Sequence, residues 1–168
     1  MSTTAIAPAR QVNVGIGQLA ASADPGLVLS ALGLGSCIGL VMVDPGARVA
    51  GMVHVMLPES HVGRTGPPGK FADTAVPALL EAVEALGAGR SRLVVSLAGG
   101  AQMFGAGLGD GVLNIGERNL AAVAAALRCA RLTVRASDVG GSSGRTLQVT
   151  VGTGRVTVRA VGRDPIEL

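Results

Sequence analysis

Two runs of strand length, CIGLVMVD at 37–44 and VAGMVHVML at 49–57, are apolar at nearly every position, and one turn signal, Asp44-Pro45-Gly46-Ala47, joins them. A strand that alternates apolar and polar residues can leave one face in water, but a strand apolar on both faces cannot. The spacing therefore predicts a β-hairpin buried on both sides. Such a hairpin needs a further layer of structure above it and another below it, which already demands a layered fold.

The rest of the chain supplies those layers. Val12, Val14 and Ile16 alternate in QVNVGIGQLA (11–20) and read as a first strand, weakened by Gly15 and Gly17. A loop, SADPG, follows, and LVLSALGLG leads into the hairpin. PESHVGRTGPPGK (58–70) is polar and rich in Gly and Pro, and reads as a mobile loop. Phe71, Ala75, Ala78, Leu79, Ala82, Val83 and Leu86 then recur at helical spacing, with Asp73 or Thr74 as the expected cap, Pro77 in the first turn and Gly87 as the stop. RLVVSLAGG reads as a buried strand running into the glycine loop GAQMFGAGLGDG. Asn114 with Glu117 forms a capping box for a second helix, whose stripe is Leu120, Val123, Ala124 and Leu127. Three alternating strands with glycine turns are expected from 132 to 162. The order is β-rich, helix, β, helix, β-rich. It predicts a layered α/β sandwich with a mixed, mainly antiparallel sheet, in one domain over 1–168 whose first ten residues are flexible.

Composition narrows the function classes. Hydrophobic residues make up 48% of the 168, so a sizeable core is possible, but Phe71 and Phe104 are the only aromatic residues. The core must therefore be aliphatic, and the 26 glycines mark turns and close backbone approaches. The net charge of +3 comes mainly from arginines spread along the chain. Without clustered charge or stacking aromatics, nucleic-acid binding is not expected, whereas contact with an acidic protein surface is. The N-terminal segment has no apolar signal core, and no apolar run reaches membrane-spanning length. Two distant cysteines make no disulfide framework, so a cytoplasmic protein with free thiols is the simplest reading.

The hairpin also carries one of the two cysteines and one of the two histidines. Pairing Asp44 with Ala47, or Val43 with Arg48, sets Cys37 directly opposite His54 on one face, with Cβ atoms about 5 Å apart. A bulge or a three-residue loop would instead turn the two side chains to opposite faces. If they are adjacent, the imidazole can draw the thiol toward thiolate. The Gly33-Leu34-Gly35-Ser36 lead-in can also leave the Ser36 and Cys37 N–H groups exposed as oxyanion donors. Nucleophile, base and oxyanion donors are the parts of an acyl-transfer site. The same residues also read as core filling, a buried cysteine beside a histidine satisfied among Ala50, Met52 and Met56. Cys129 reads as packing and His61 as solvated. Asn114 reads as a cap, and the glycine loop after Ala98 lacks the spacing of a phosphate cradle. Two separated histidines suggest no metal site, and nothing calls for an organic cofactor.

Several segments together resemble the CheD family of chemoreceptor glutamine deamidases: LGLGSC (32–37), HVMLPES (54–60), KFADTA (70–75), GGAQMF (99–104), NIGERN (114–119) and DVGGSSGRT (138–146). The resemblance implies conversion of receptor glutamines to glutamate through a cysteine thioester. Cys37 would be the nucleophile and His54 the general base, with no metal or cofactor. It implies an α/β sandwich related to the catalytic domains of glutamine-deamidating toxins. It also implies as partners the cytoplasmic region of methyl-accepting receptors and, in many species, the CheC phosphatase. By the resemblance, the family usually has a threonine six residues before the cysteine that helps orient the histidine, and this chain has Ala31 there. Either a backbone carbonyl or another side chain then orients His54, or the rate is reduced. In the last case the chain could serve as a non-catalytic adaptor for receptors or phosphatase. Phe104, in the glycine loop, and Arg118, on the second helix, are candidate substrate or partner contacts.

Overall fold

A computed structural model describes residues 9–61, 65–103 and 114–168. The strands are β1 (Arg10–Asn13), β2 (Leu19–Ser22), β3 (Leu27–Leu34), β4 (Ile38–Asp44), β5 (Val49–Val55), β6 (Val94–Gly99), β7 (Val134–Val139), β8 (Arg145–Thr150), β9 (Arg155–Ala160) and β10 (Arg163–Glu167). The helices are α1 (Ala72–Ala85) and α2 (Ile115–Cys129), with short 3-10 turns at Pro68–Lys70 and Arg90–Arg92. The strands form two five-stranded sheets, ordered β1-β3-β8-β9-β10 and β2-β5-β4-β6-β7. β1 with β3 and β6 with β7 run parallel, and the remaining pairs are antiparallel.

The β4–β5 hairpin lies at the centre, and every residue of both strands is buried. Its inner face, with Val41, Val43, Ala50 and Met52, packs on Leu29, Ala31, Leu147, Val149, Val156 and Val158 of the other sheet. Its outer face, with Ile38, Leu40, Met42, Val49, Val53 and Val55, packs under the buried stripes of α1 and α2. The molecule is thus a helix–sheet–sheet sandwich, the layered α/β class expected, with two mixed sheets where one was read. Gly51 lets α1 approach this face, because a Cβ there would lie 2.6 Å from Val83 Cγ1 and 2.7 Å from Leu79 Cδ1.

Local signals hold where they are short-range. Asn114 caps α2, accepting from the Glu117 N–H at 3.1 Å. Gly87, at φ +99°, ends α1 with paired bonds from Gly87 N–H to Glu84 O and from Ala88 N–H to Val83 O.

Other expectations are corrected. The single strand read over 11–20 breaks at Gly15–Gly17, so β1 joins one sheet and β2 the other. Neither Asp73 nor Thr74 caps α1; Asp73 accepts from Ser60, and Thr74 Oγ1 donates to the Pro68 and Phe71 carbonyls. Pro77 lies beyond the first turn of α1. It is tolerated because it is exposed, so the Asp73 carbonyl it leaves unbonded faces the solvent side of the helix. The three strands expected from 132 to 162 are present as β7, β8 and β9, and β10 follows beyond that range. β10 is an edge strand whose pairing slips between Arg163 and Ile166, which accommodates Pro165. Of the ten N-terminal residues expected to be flexible, 1–8 lie outside the described residues, and Arg10 already pairs with Leu27.

Candidate active site

The hairpin register differs from the sequence expectation. Asp44 pairs with Val49, and the loop is Pro45–Arg48. The Asp44 carboxylate holds this turn by accepting from the Gly46 and Ala47 N–H groups at 2.9 and 3.1 Å. Gly89 N–H and Arg92 also donate to it. These donors hold the buried Asp44 carboxyl far below the usual carboxylate range. Arg48 takes the left-handed φ of +54° and so drops out of the ladder where it was expected to pair with Val43. Each pairing partner consequently moves by two residues, and His54 stands opposite Gly39, not Cys37. A shift of two preserves the face. Cys37 therefore lies diagonally from His54 on the inter-sheet side, one residue beyond the last pair, Ile38 with Val55.

Gly39 opposite the histidine is packed by the other sheet: a Cβ there would sit 2.7 Å from Leu147 Cδ2 and 2.9 Å from Leu34 Cδ1. His54 itself is only 2% exposed. Its Nδ1 lies 3.1 Å from the Val14 carbonyl. A carbonyl can only accept, so Nδ1 carries the proton in the neutral ring and Nε2 bears the free lone pair. The crossing between sheets at Gly15–Gly17 brings Val14 there. The same segment is tied to the His54 backbone, through Gly17 N–H to His54 O at 2.8 Å and His54 N–H to Gln18 O at 3.0 Å. Nε2 is buried and has no hydrogen-bond partner among the described residues. Burial pushes the His54 pKa down against the opposing pull of the Val14 carbonyl, which favours the unprotonated base.

Cys37 is half-buried and free, packed at the edge of the inter-sheet core. Burial pushes its thiol pKa up, against the pull toward thiolate that an adjacent imidazole would exert, and so disfavours the charged form of both groups. The backbone around the cysteine is held from inside. Gly35 O accepts from Ala101 N–H at 2.8 Å, Ser36 O from Asn119 Nδ2 at 2.9 Å, and Cys37 O from Gly100 N–H at 2.9 Å. Three successive carbonyls are thereby engaged, while the Ser36 and Cys37 N–H groups donate to no acceptor among the described residues.

Ala31, where the resemblance led to the expectation of a threonine, is fully buried in the inter-sheet core, and the Val14 carbonyl lies against the histidine ring. Arg118 is exposed on α2 and His61 is exposed in its loop, while Phe104 lies outside the described residues. Cys129 is exposed, contrary to the packing role expected, because it ends α2 off the buried stripe of Gly116, Asn119, Val123 and Leu127. Sequence reasoning missed Asn119. The available signal was a polar side chain at core spacing, three residues after Gly116 and four before Val123. Beside the Cys37 loop opens a groove of about 610 Å³ lined by residues including Gly33, Met103, Arg145, Arg159 and Val161. No helix among the described residues is long and apolar enough to cross a membrane.

Comparison with known proteins shows the family of the chain. The family model described as CheD chemotactic sensory transduction matches residues 56–160. A Symbiobacterium thermophilum protein named "Probable chemoreceptor glutamine deamidase CheD" is 48% identical over 157 residues, covering 92% of this chain and 95% of that protein. The Thermotoga maritima chemoreceptor glutamine deamidase CheD is 44% identical over 149 residues, covering 89% of this chain and 91% of its own. The protein of the same name from Halalkalibacterium halodurans is 42% identical over 159 residues, covering 94% and 98%. With the family model matching more than half the chain and relatives aligned along nearly all of it, the chain belongs to the CheD family.

Proposed function

We propose that this chain is a cytoplasmic protein-glutamine deamidase that converts glutamines of methyl-accepting chemotaxis receptors to glutamate. The observation that carries the reading is the buried His54 Nε2, without a hydrogen-bond partner among the described residues, its tautomer set by Val14, on the same face as Cys37. The names of the relatives supply the substrate class.

In the proposed cycle, the Cys37 sulfur attacks the glutamine side-chain carbonyl carbon as its proton passes to His54 Nε2. Because burial disfavours the charged form of both groups, attack and proton transfer belong to one general-base step. The carbonyl electron pair moves to oxygen, and the Ser36 and Cys37 N–H groups receive the oxyanion. The tetrahedral centre then collapses, the imidazolium proton goes to the departing nitrogen, and ammonia leaves a γ-glutamyl thioester. Water gives a proton to His54 and attacks the thioester. Collapse returns the thiol and a receptor glutamate.

The added carboxylate alters charge repulsion on the receptor's helices and hence its signalling balance. The groove with Arg159 and the exposed Leu32, Met103 and Val161 supports docking of a helical protein surface beside the cysteine. A CheC-type phosphatase is the second proposed partner.

The test is to incubate the protein with a purified receptor cytoplasmic fragment and measure ammonia and the amide-to-acid mass change. Both should be abolished by Cys37→Ala. A parent that binds the fragment without releasing ammonia would replace the enzyme by an adaptor.

A further inference from the structure

We infer that Asn119 is a positioning residue for the reaction, and that its side-chain amide acts as the last rung of the β4–β5 ladder and holds Cys37 in register with His54. This rests on the deamidase reading for its meaning, but its geometry is independent of substrate. The backbone pairs of the hairpin stop at Ile38 with Val55. Past that point strands separate and ordinarily fray. Here the fully buried Asn119 inserts its amide between the two chains, and Nδ2 donates to Ser36 O and to Met56 O, each at 2.9 Å. Ser36 directly precedes the cysteine, and Met56 lies two residues past the histidine. One amine group therefore spans the two segments that carry the proposed reacting groups.

The amide orientation is fixed by chemistry. Turned over, the oxygen would face two carbonyl oxygens, and no bond could form. The orientation that satisfies both carbonyls leaves Oδ1 buried without a partner among the described residues. Half of the side chain's bonding capacity is thus given up so that the other half bridges the strands. A residue present only to fill space would not need this arrangement. The helix is brought close enough by Gly116, where a Cβ would lie 2.5 Å from Gly100 O and 2.8 Å from Ala101 O. The same α2 turn thus contacts the loop whose N–H groups hold Gly35 O and Cys37 O.

The experiment uses full-length protein carrying Cys129→Ser, so that Cys37 is the only thiol. Asn119→Ala and Asn119→Asp are compared with this parent in two assays. One is ammonia release from the receptor fragment; the other is labelling of Cys37 by an aromatic disulfide reagent without substrate. The expected result for folded Asn119→Ala is a kcat lower by about 30-fold or more at nearly unchanged KM, with faster labelling as the frayed segment exposes the thiol. Asn119→Asp, equal in size but facing the carbonyls with oxygen alone, should lose at least as much. The inference is overturned if either folded variant keeps kcat and labelling rate within about twofold of the parent, or if the loss lies in KM alone. Should Asn119→Ala not fold, Asn119→Ser, which can still donate to one carbonyl, is judged by the same criteria. If the parent releases no ammonia, the deamidase reading fails, and labelling alone decides whether Asn119 holds the cysteine.

Discussion

Replacing Gly99 by alanine tests the geometry around the proposed nucleophile most sharply. Gly99 ends β6 opposite Ile38 at φ +113°, and a Cβ there would lie 2.1 Å from Cys37 O. Such contacts are not tolerated below 3.0 Å, so the Cys37 carbonyl or its neighbour must move by about 0.9 Å. The movement also loosens the 2.9 Å bond from Gly100 N–H to Cys37 O. Positive φ costs about 1–2 kcal/mol for an alanine, and forced overpacking adds about 1–3 kcal/mol. The expected loss of stability is thus about 2–5 kcal/mol, within what a typical domain survives. Misplacing a reacting atom by about 1 Å costs about 100-fold in rate, equivalent to about 2.7 kcal/mol in the barrier. The assay is ammonia release from a receptor fragment, run below the variant's melting temperature, with thermal unfolding measured alongside. Gly87→Ala is the internal control, because φ there is +99° but a Cβ would meet nothing within 4 Å. It should lose about 1 kcal/mol of stability and keep its kcat. A Gly99→Ala protein with parental kcat would refute the claim that Cys37 must be held where this loop places it.

Four further outcomes are expected. Because burial lowers the His54 pKa, the acid limb of kcat/KM should fall below about pH 6.5, and a midpoint at or above that value would contradict a buried neutral base. Burial of the neutral pair also shapes stability. The His54 contribution is complete above about pH 6.5 and lost as pH falls through its lower folded value, while that of Cys37 is complete below about pH 8.5 and lost as pH rises through its raised one. Urea midpoints across pH should therefore differ from those of a Cys37→Ala/His54→Ala protein at both ends of that window, and parallel curves would refute it. Ala31→Thr should change kcat by less than about threefold while costing about 1–3 kcal/mol by overpacking a fully buried site, since Val14 already holds the ring; a tenfold gain would show that it does not. Asp44→Ala should destabilise by about 2–3 kcal/mol in chemical denaturation by removing the acceptor that gathers the turn and Arg92, and an unchanged midpoint would contradict that role.

What could be read in the sequence was what adjacent residues decide among themselves. The Asn114–Glu117 box, the Gly87 stop and the doubly apolar hairpin are local, and each stands where it was expected. The hairpin register was not legible, because it depends on Arg48 entering the left-handed region while Asp44 gathers donors from as far away as Arg92. The face shared by Cys37 and His54 nevertheless survived, since the error was an even number of residues. The hydrogen bond that orients His54 was hidden for a different reason. It comes from a backbone carbonyl, Val14, which any residue type provides, in a segment that passes from one sheet to the other. Asn119 was open to reading, because a polar residue at core spacing needs partners. Which partners it finds is decided only when α2 packs against the open end of the hairpin.

The central claim, a thiol and an imidazole acting as one acyl-transfer pair, is tested most directly by trapping the acyl-enzyme. Protein and receptor fragment are mixed, denatured in acid within a single turnover, and analysed by mass spectrometry. A covalent adduct at Cys37 that hydroxylamine cleaves, absent in Cys37→Ala and formed far more slowly in His54→Ala, is the predicted result. Glutamate produced at the parental rate by Cys37→Ala, with no adduct at any time, would contradict it.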